Sequence, residues 1–180
     1  MAFSVQTLCK EKELASDLIK WYLNDCTGKK NYRWKWIDSG SYRTAYLGPD
    51  GNVYKVPLEM YAEFVGENHS EYKNWLRVKD LEFTWRGNSW TTTKTMQLFE
   101  FPEYGEHLSD NGQLYNPSVI VMPYVKGIPF DECVDDCGAK DIYHCLEFDQ
   151  ACMYFNMMDI NCDNVLIQPN GTRVIIDLQC

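Results

Sequence analysis

The sequence predicts an α+β fold, and three observations predict it. Residues 6–25 carry apolar side chains at helical spacing, residues 32–57 alternate and turn like an antiparallel meander, and residues 164–177 place an Asn-Gly turn between two short apolar runs. The chain has 180 residues, with 17 Lys plus Arg against 26 Asp plus Glu, a net charge of −9. At 45% hydrophobic residues it is too apolar to be disordered. A chain of this length can bury roughly 70% of its unfolded surface without metals or disulfides.

Taken in order, Leu8, Leu14, Leu18, Ile19, Tyr22 and Leu23 line one face of the first helix, and Thr27-Gly28 ends it. In residues 32–38, Tyr32, Trp34 and Trp36 alternate with Arg33 and Lys35, which is strand period. Turns at Ser39-Gly40-Ser41 and at Gly48-Pro49-Asp50-Gly51 separate this strand from strands at 42–47 and 52–57. Residues 69–79 read as a helix with Tyr72, Trp75, Leu76 and Val78 inward. Short strand-like pieces follow over 81–101, and a polar loop spans 104–117. The continuous apolar run at 118–122 has the pattern of a buried strand. Residues 139–156 read as a helix with Ile142, Cys145, Leu146, Phe148, Cys152 and Phe155 inward. Pro123 and Gly127 mark a boundary. The expected organisation is a helical extension at 1–30, an N-terminal lobe at 31–125 and a small C-terminal lobe at 126–180.

The acidic balance argues against a nucleic-acid or anionic-membrane binder and leaves room for a protein partner with a basic surface. No stretch approaches the ~20 apolar residues that span a bilayer. Charges interrupt the N-terminal MAFSVQTLCKEKELASD where a signal peptide needs its apolar segment, so the expected location is the cytoplasm. The eight cysteines form no Cys-x-x-Cys pair, and His69, His107 and His144 are scattered. The expectation is free, mostly buried thiols and no structural zinc. Trp34, Trp36, Trp75, Trp85 and Trp90 are expected in the core or at a lobe interface, and Asp131-Glu132 with Asp135-Asp136 on a solvated acidic face.

Two segments carry chemistry. If Asn170-Gly171 forms a two-residue turn, Gln168 pairs with Arg173 and Asn164 falls opposite Asp177. Opposed residues lie ~4.5–5.5 Å apart, so a carboxamide and a carboxylate meet at the open end of the hairpin. Asp159 precedes Asn164 by a short loop. Together they form a hard-oxygen set suited to Mg²⁺. In the meander, Gly40 and Ser41 form a small-residue turn that lets backbone N–H groups approach phosphate. With Asp50-Gly51 as a two-residue turn, Lys55 opposes Tyr46. A lysine on a central strand needs a partner, Glu71 or Glu67.

These residues resemble the protein-kinase family: Ser39-Gly40-Ser41-Tyr42, Val53-Tyr54-Lys55, Glu71 in SEYKNWL, the strand from Val119 through Met-Pro-Tyr to Val125, Asp159-Ile-Asn-Cys-Asp-Asn164, and Ile176-Asp177-Leu178-Gln179. The order matches over roughly residues 32–180. The resemblance implies a two-lobed fold with an antiparallel N-terminal sheet and a truncated helical C-terminal lobe. It implies ATP and Mg²⁺ as cofactors, Asp159 as catalytic aspartate, and Asn164 and Asp177 on metal. Lys55 would bind the α/β-phosphates, positioned by Glu71. Gly40 and Ser41 would cover the phosphates, and Met122, Tyr124 and Val125 would meet adenine. The departures are a single loop glycine, Met157-Met158 before Asp159, Leu-Gln after Asp177, and no activation segment after it. Compact domains of this sort resemble the early host-takeover kinase domains of lytic bacteriophages, which would place the chain in a host cytoplasm. The implied activity is phosphoryl transfer to Ser or Thr of a protein. The alternative is a catalytically inactive kinase-fold protein that inhibits a partner by binding it.

Overall fold

The computed structural model describes residues 5–25, 33–58, 62–108, 112–130, 142–156 and 162–178. In chain order the elements are α1 (Val5–Asp25), β1 (Lys35–Ser39), β2 (Arg43–Leu47), β3 (Asn52–Pro57), α2 (Ala62–Val78), β4 (Phe83–Trp85), β5 (Asn88–Thr92) and β6 (Gln97–Glu100). After a 3-10 turn at Pro102–Tyr104 come β7 (His107–Leu108), β8 (Leu114–Tyr115), β9 (Ser118–Pro123), β10 (Ile128–Pro129) and α3 (Ile142–Phe155). A second 3-10 turn at Cys162–Asn164 leads into β11 (Val165–Ile167) and β12 (Arg173–Ile175). The chain forms two compact units, Met1–His69 with Met96–Tyr124 and Ser70–Thr95 with Val125–Cys180. The division therefore does not fall at a single cut near residue 125, because residues 70–95 belong with the C-terminal unit.

The first unit holds a sheet in the order β1-β2-β3-β9-β6, and each neighbouring pair of its strands runs antiparallel. Leu14, Ala15, Leu18, Ile19 and Tyr22 of α1 pack with Tyr46, Tyr54, Val56, Val119 and Val121. Each such aliphatic side chain, fully buried, contributes about 1.5–3 kcal/mol, so α1 is part of this core. Strand alternation then directs Val53, Lys55, Ile120 and Met122 to the opposite face of the sheet. Two expectations fail at the margins. Leu23 is exposed and Glu11 takes an inward position. The first strand starts at Lys35, is bulged at Ile37, and leaves Trp36 57% exposed, as suits an edge strand. Tyr32 lies outside the described residues.

Both hairpin registers expected from two-residue turns are off by one. Lys55 faces Ala45, not Tyr46, and Ile167 faces Arg173. The loops are three residues long, Pro49-Asp50-Gly51 and Pro169-Asn170-Gly171. Gly48 N–H donates to Asn52 O at 2.8 Å and Gln168 N–H to Thr172 O at 2.9 Å. Gly51 and Gly171 have φ of +85° and +83°, the left-handed residue that closes a three-residue loop with a bulge. Proline is the reason. Directly before a two-residue turn it lacks the N–H that the flanking pair requires, whereas its fixed φ suits the first central position of a type I turn. A two-residue turn does form at Arg86-Gly87, with φ of 46° and 89°, between Trp85 and Asn88.

The Pro49 turn is tied to α1 through acids. Asn52 Nδ2 donates to Glu11 Oε1 at 3.2 Å and to Asp50 Oδ2 at 3.0 Å, and Tyr54 OH donates to Asp50 Oδ2 at 2.8 Å. Glu11 is 5% exposed and its Oε2 has no hydrogen-bond partner. Burial, then the Asp50 charge, pushes the Glu11 carboxyl above its ordinary value, against the bond from Asn52. The same burial and Asp50 push the Tyr54 hydroxyl up. A raised carboxyl pKa stabilises the fold fully below the ordinary value of 4.5 and loses that contribution as pH rises through the folded value. Glu11→Gln is therefore expected to flatten the fall in melting temperature with rising pH above the ordinary glutamate range. Parallel slopes for the two proteins would contradict this.

The C-terminal lobe at 126–180 was expected as a helix with a terminal hairpin; the unit that contains these residues is organised around a sheet in the order β10-β11-β12-β5-β4. Arg173, Val174 and Ile175 pair in parallel with Trp90, Thr91 and Thr92, while the other pairs are antiparallel. Local sequence pattern cannot foresee this pairing, because its partners are distant in the chain. α3 meets the sheet with Glu147, Ala151 and Phe155, one residue per turn, and Leu146 faces solvent instead of the core. Glu147 Oε1 accepts from Trp90 Nε1 at 2.8 Å, and its Oε2 accepts from Asn88 Nδ2 at 3.0 Å. Arg173 Nε lies 3.0 Å from Glu147 Oε1 but off the hydrogen-bond line, so that contact is an ion pair. Trp90 is enclosed by the rings of Phe130 and Phe148.

α2 starts at Ala62, seven residues before the expected start. Its inward stripe includes Val65, Asn68, Glu71, Asn74, Trp75 and Val78, with Leu76 outside. Asn74 Nδ2 donates to Leu178 O at 2.9 Å and Trp75 Nε1 to Thr93 O at 2.8 Å. Trp34, Trp75 and Trp90 are buried as expected, and Trp36 is not. The expectation of mostly buried thiols fails at Cys9, which is exposed, while Cys152 and Cys162 are half-buried. Burial, with smaller contributions from Asp149 and Cys162, pushes the Cys152 thiol up to about 11. Residues 131–136, with the acidic cluster, lie outside the described residues.

Candidate functional site

The sequence-derived site residues divide between the two units. In the first, Gly40 and Ser41 form the β1–β2 turn, closed by Gly40 N–H donating to Arg43 O at 2.9 Å. A Cβ built on Gly40 would meet nothing within 4 Å, so packing does not demand glycine there. Lys55 sits on β3 between β2 and β9, opposite Ala45 and Ile120, and is only 8% exposed. Lysine is seldom buried to this degree, and doing so is costly unless the charge is compensated. Met122 is buried on β9 opposite Val53, on the same sheet face as Lys55. Tyr124 follows β9 and is exposed.

In the second unit, Glu71 on α2 is fully buried. Val125 lies in the extended segment after β9. Asn164 ends the 3-10 turn before β11, and Asp177 follows β12; both are half-buried. Ile176 N–H donates to Asn164 O at 2.9 Å, which extends the hairpin by one pair past Val165↔Ile175. The one-residue shift therefore puts Ile176, not Asp177, opposite Asn164. Asn164 and Asp177 both lie at the open end of the hairpin, but the shift takes Asp177 off the position opposite Asn164, so the expected face-to-face pairing of their side chains fails. A carboxylate and a carboxamide oxygen there fit a hard divalent cation in donor type. Among the described residues no group of three or more His, Cys, Asp or Glu could hold a metal. Asp159, the third expected oxygen donor, lies outside the described residues, as do Met157 and Met158.

Both ends of the hairpin, the turn at Gly171 and the open end past Asp177, are held by groups that local sequence reading missed. Arg173, at the first position of β12, donates through Nη1 to Gly171 O and pairs with Glu147 of α3. The Leu178 carbonyl, one residue past Asp177, is fixed by Asn74 of α2. The available signal was periodicity: Asn74 and Glu147 each sit where an inward stripe requires a residue, but their polarity conceals it.

No family model matches the chain, and no curated protein matches it. Among solved structures it is similar to the MAP kinase LmaMPK10 from Leishmania major, with 13% sequence identity and a TM-score of 0.37, over 93% of this chain and 51% of that one. The chain thus spans about half the length of that kinase. No helix among the described residues is long and apolar enough to cross a membrane.

Proposed function

We propose that the chain is a reduced protein-kinase-like phosphotransferase that uses ATP and Mg²⁺ and acts on a Ser or Thr hydroxyl of a protein. The observation that carries this reading is Lys55, a lysine buried on a central strand of an antiparallel sheet. The ordered motif set around it supports the reading: Glu71 is buried on the following helix, and Asn164 and Asp177 share the end of a hairpin. In this reading Lys55 steadies the phosphates, with Glu71 as the acid that the resemblance assigns to it. The Gly40-Ser41 turn covers the phosphates, with Ser41 offering its backbone N–H while that of Gly40 is held by Arg43 O, and Met122, Tyr124 and Val125 border the base. Asp159 accepts the proton of the acceptor hydroxyl as its oxygen bonds to the γ-phosphorus and ADP leaves. Asn164 and Asp177 would hold Mg²⁺, which when bound neutralises charge on the phosphates. Positioning and electrostatics supply most of such catalysis, which a small scaffold can provide.

The test is a melting curve with and without MgATP. At a hundred times Kd, ligand adds about 2.7 kcal/mol to stability. The expected result is a clear upward shift that Lys55→Met removes. No shift in the unmodified protein would overturn the nucleotide reading and favour an inactive protein that works by binding a partner.

A further inference from the structure

The pairing between β3 and β9 runs from Asn52↔Pro123 to Lys55↔Ile120 and stops there. β3 itself continues, paired with β2 through Val56 and Pro57. Lys55 is thus the last residue at which both neighbours hold β3. Past it, β3 and β9 part, and backbone carbonyls in a fully buried region need other donors. One side chain provides them. Asn68, on the part of α2 that belongs to the first unit, is 0% exposed, and its Nδ2 donates to Lys55 O at 3.2 Å and to Ser118 O at 2.8 Å. A primary amide carries two N–H donors, so one group can serve both strands. Both oxygens belong to the strands that part, one on β3 and one on β9. Asn68 Oδ1 is buried with no hydrogen-bond partner, so the amide is held by its donors.

We propose that Asn68 is the positioning residue for Lys55: its amide stitches β3 to β9 where their ladder opens, and so fixes the backbone that carries the lysine. The role in nucleotide binding rests on the phosphotransferase reading, whereas the stitch itself does not. Asn68→Asp keeps the shape and removes both donor hydrogens. Asn68→Ser keeps a single donor and serves if the aspartate variant does not fold. The primary readout is residue-resolved amide exchange. In either variant, exchange at Lys55 and Ile120 is expected to accelerate by about tenfold, the scale of one or two lost hydrogen bonds, with little change at Val53 and Met122. Equal acceleration along both strands, or none, would overturn the proposal, because a merely structural residue would loosen the sheet evenly. MgATP affinity is the second readout. Local loosening with weakened MgATP binding is the expected outcome. Local loosening with unchanged MgATP affinity upholds the stitch and overturns Lys55 as a phosphate contact. An unmodified protein that ignores MgATP overturns the phosphotransferase reading, while the exchange pattern still decides the stitch.

Discussion

Glu147→Ala is expected to destabilise the second unit by about 3–5 kcal/mol, the scale for breaking one side of a buried ion pair. Glu147 and Arg173 have side chains 6% and 10% exposed, so the arginine left behind would be a buried, uncompensated charge. The substitution also takes the acceptor from Trp90 Nε1 and Asn88 Nδ2. A leucine at both positions, Glu147→Leu with Arg173→Leu, is expected to be less harmful than Glu147→Ala alone, because no charge remains to be solvated. Urea unfolding of the three proteins checks the order. A double variant less stable than Glu147→Ala would show that the network matters through its hydrogen bonds and not through charge pairing.

Asp177→Ala is expected to reduce Mg²⁺-dependent phosphoryl transfer by about 10²–10³-fold, the scale of removing one electrostatic contact to developing charge. The residue lies just past Ile176, whose N–H closes the hairpin on Asn164 O, and is half-buried. The paired measurements are labelled phosphate transfer and melting temperature. Lost transfer with unchanged melting supports the metal assignment. Undiminished transfer removes Asp177 from the site.

Much of the first unit was legible in the sequence. The strand at 52–57 has the expected bounds, and the one at 118–122 extends by a single residue, because alternation and continuous apolar runs are local signals. α1 also follows its apolar period. Registers were not legible from Asn-Gly and Asp-Gly alone. Pro49 and Pro169 carried the missing information, since a proline directly before such a pair cannot sit in a two-residue turn's flanking ladder without losing a donor. The inward stripes of α2 and α3 were misread at Leu76 and Leu146 because Asn68, Glu71, Asn74 and Glu147 occupy core positions. These buried polar groups meet specific partners that only tertiary structure supplies. The strand positions of Lys55 and Met122 could thus be named in advance, but not the polar side chains buried on the helices.

The parallel union of β12 with β5 also bears on the order of events at the ribosome. Trp90 must wait about eighty residues of synthesis before Arg173 arrives beside it, a separation that slows closure. Everything the first unit contains has been synthesised once Tyr124 is made. Its sheet can therefore mature while the other half still lacks a central strand, and β5 meanwhile presents an unpaired edge. An open strand edge is a template for association with other chains, and a nascent chain stalled before residue 173 is the species in which to probe it.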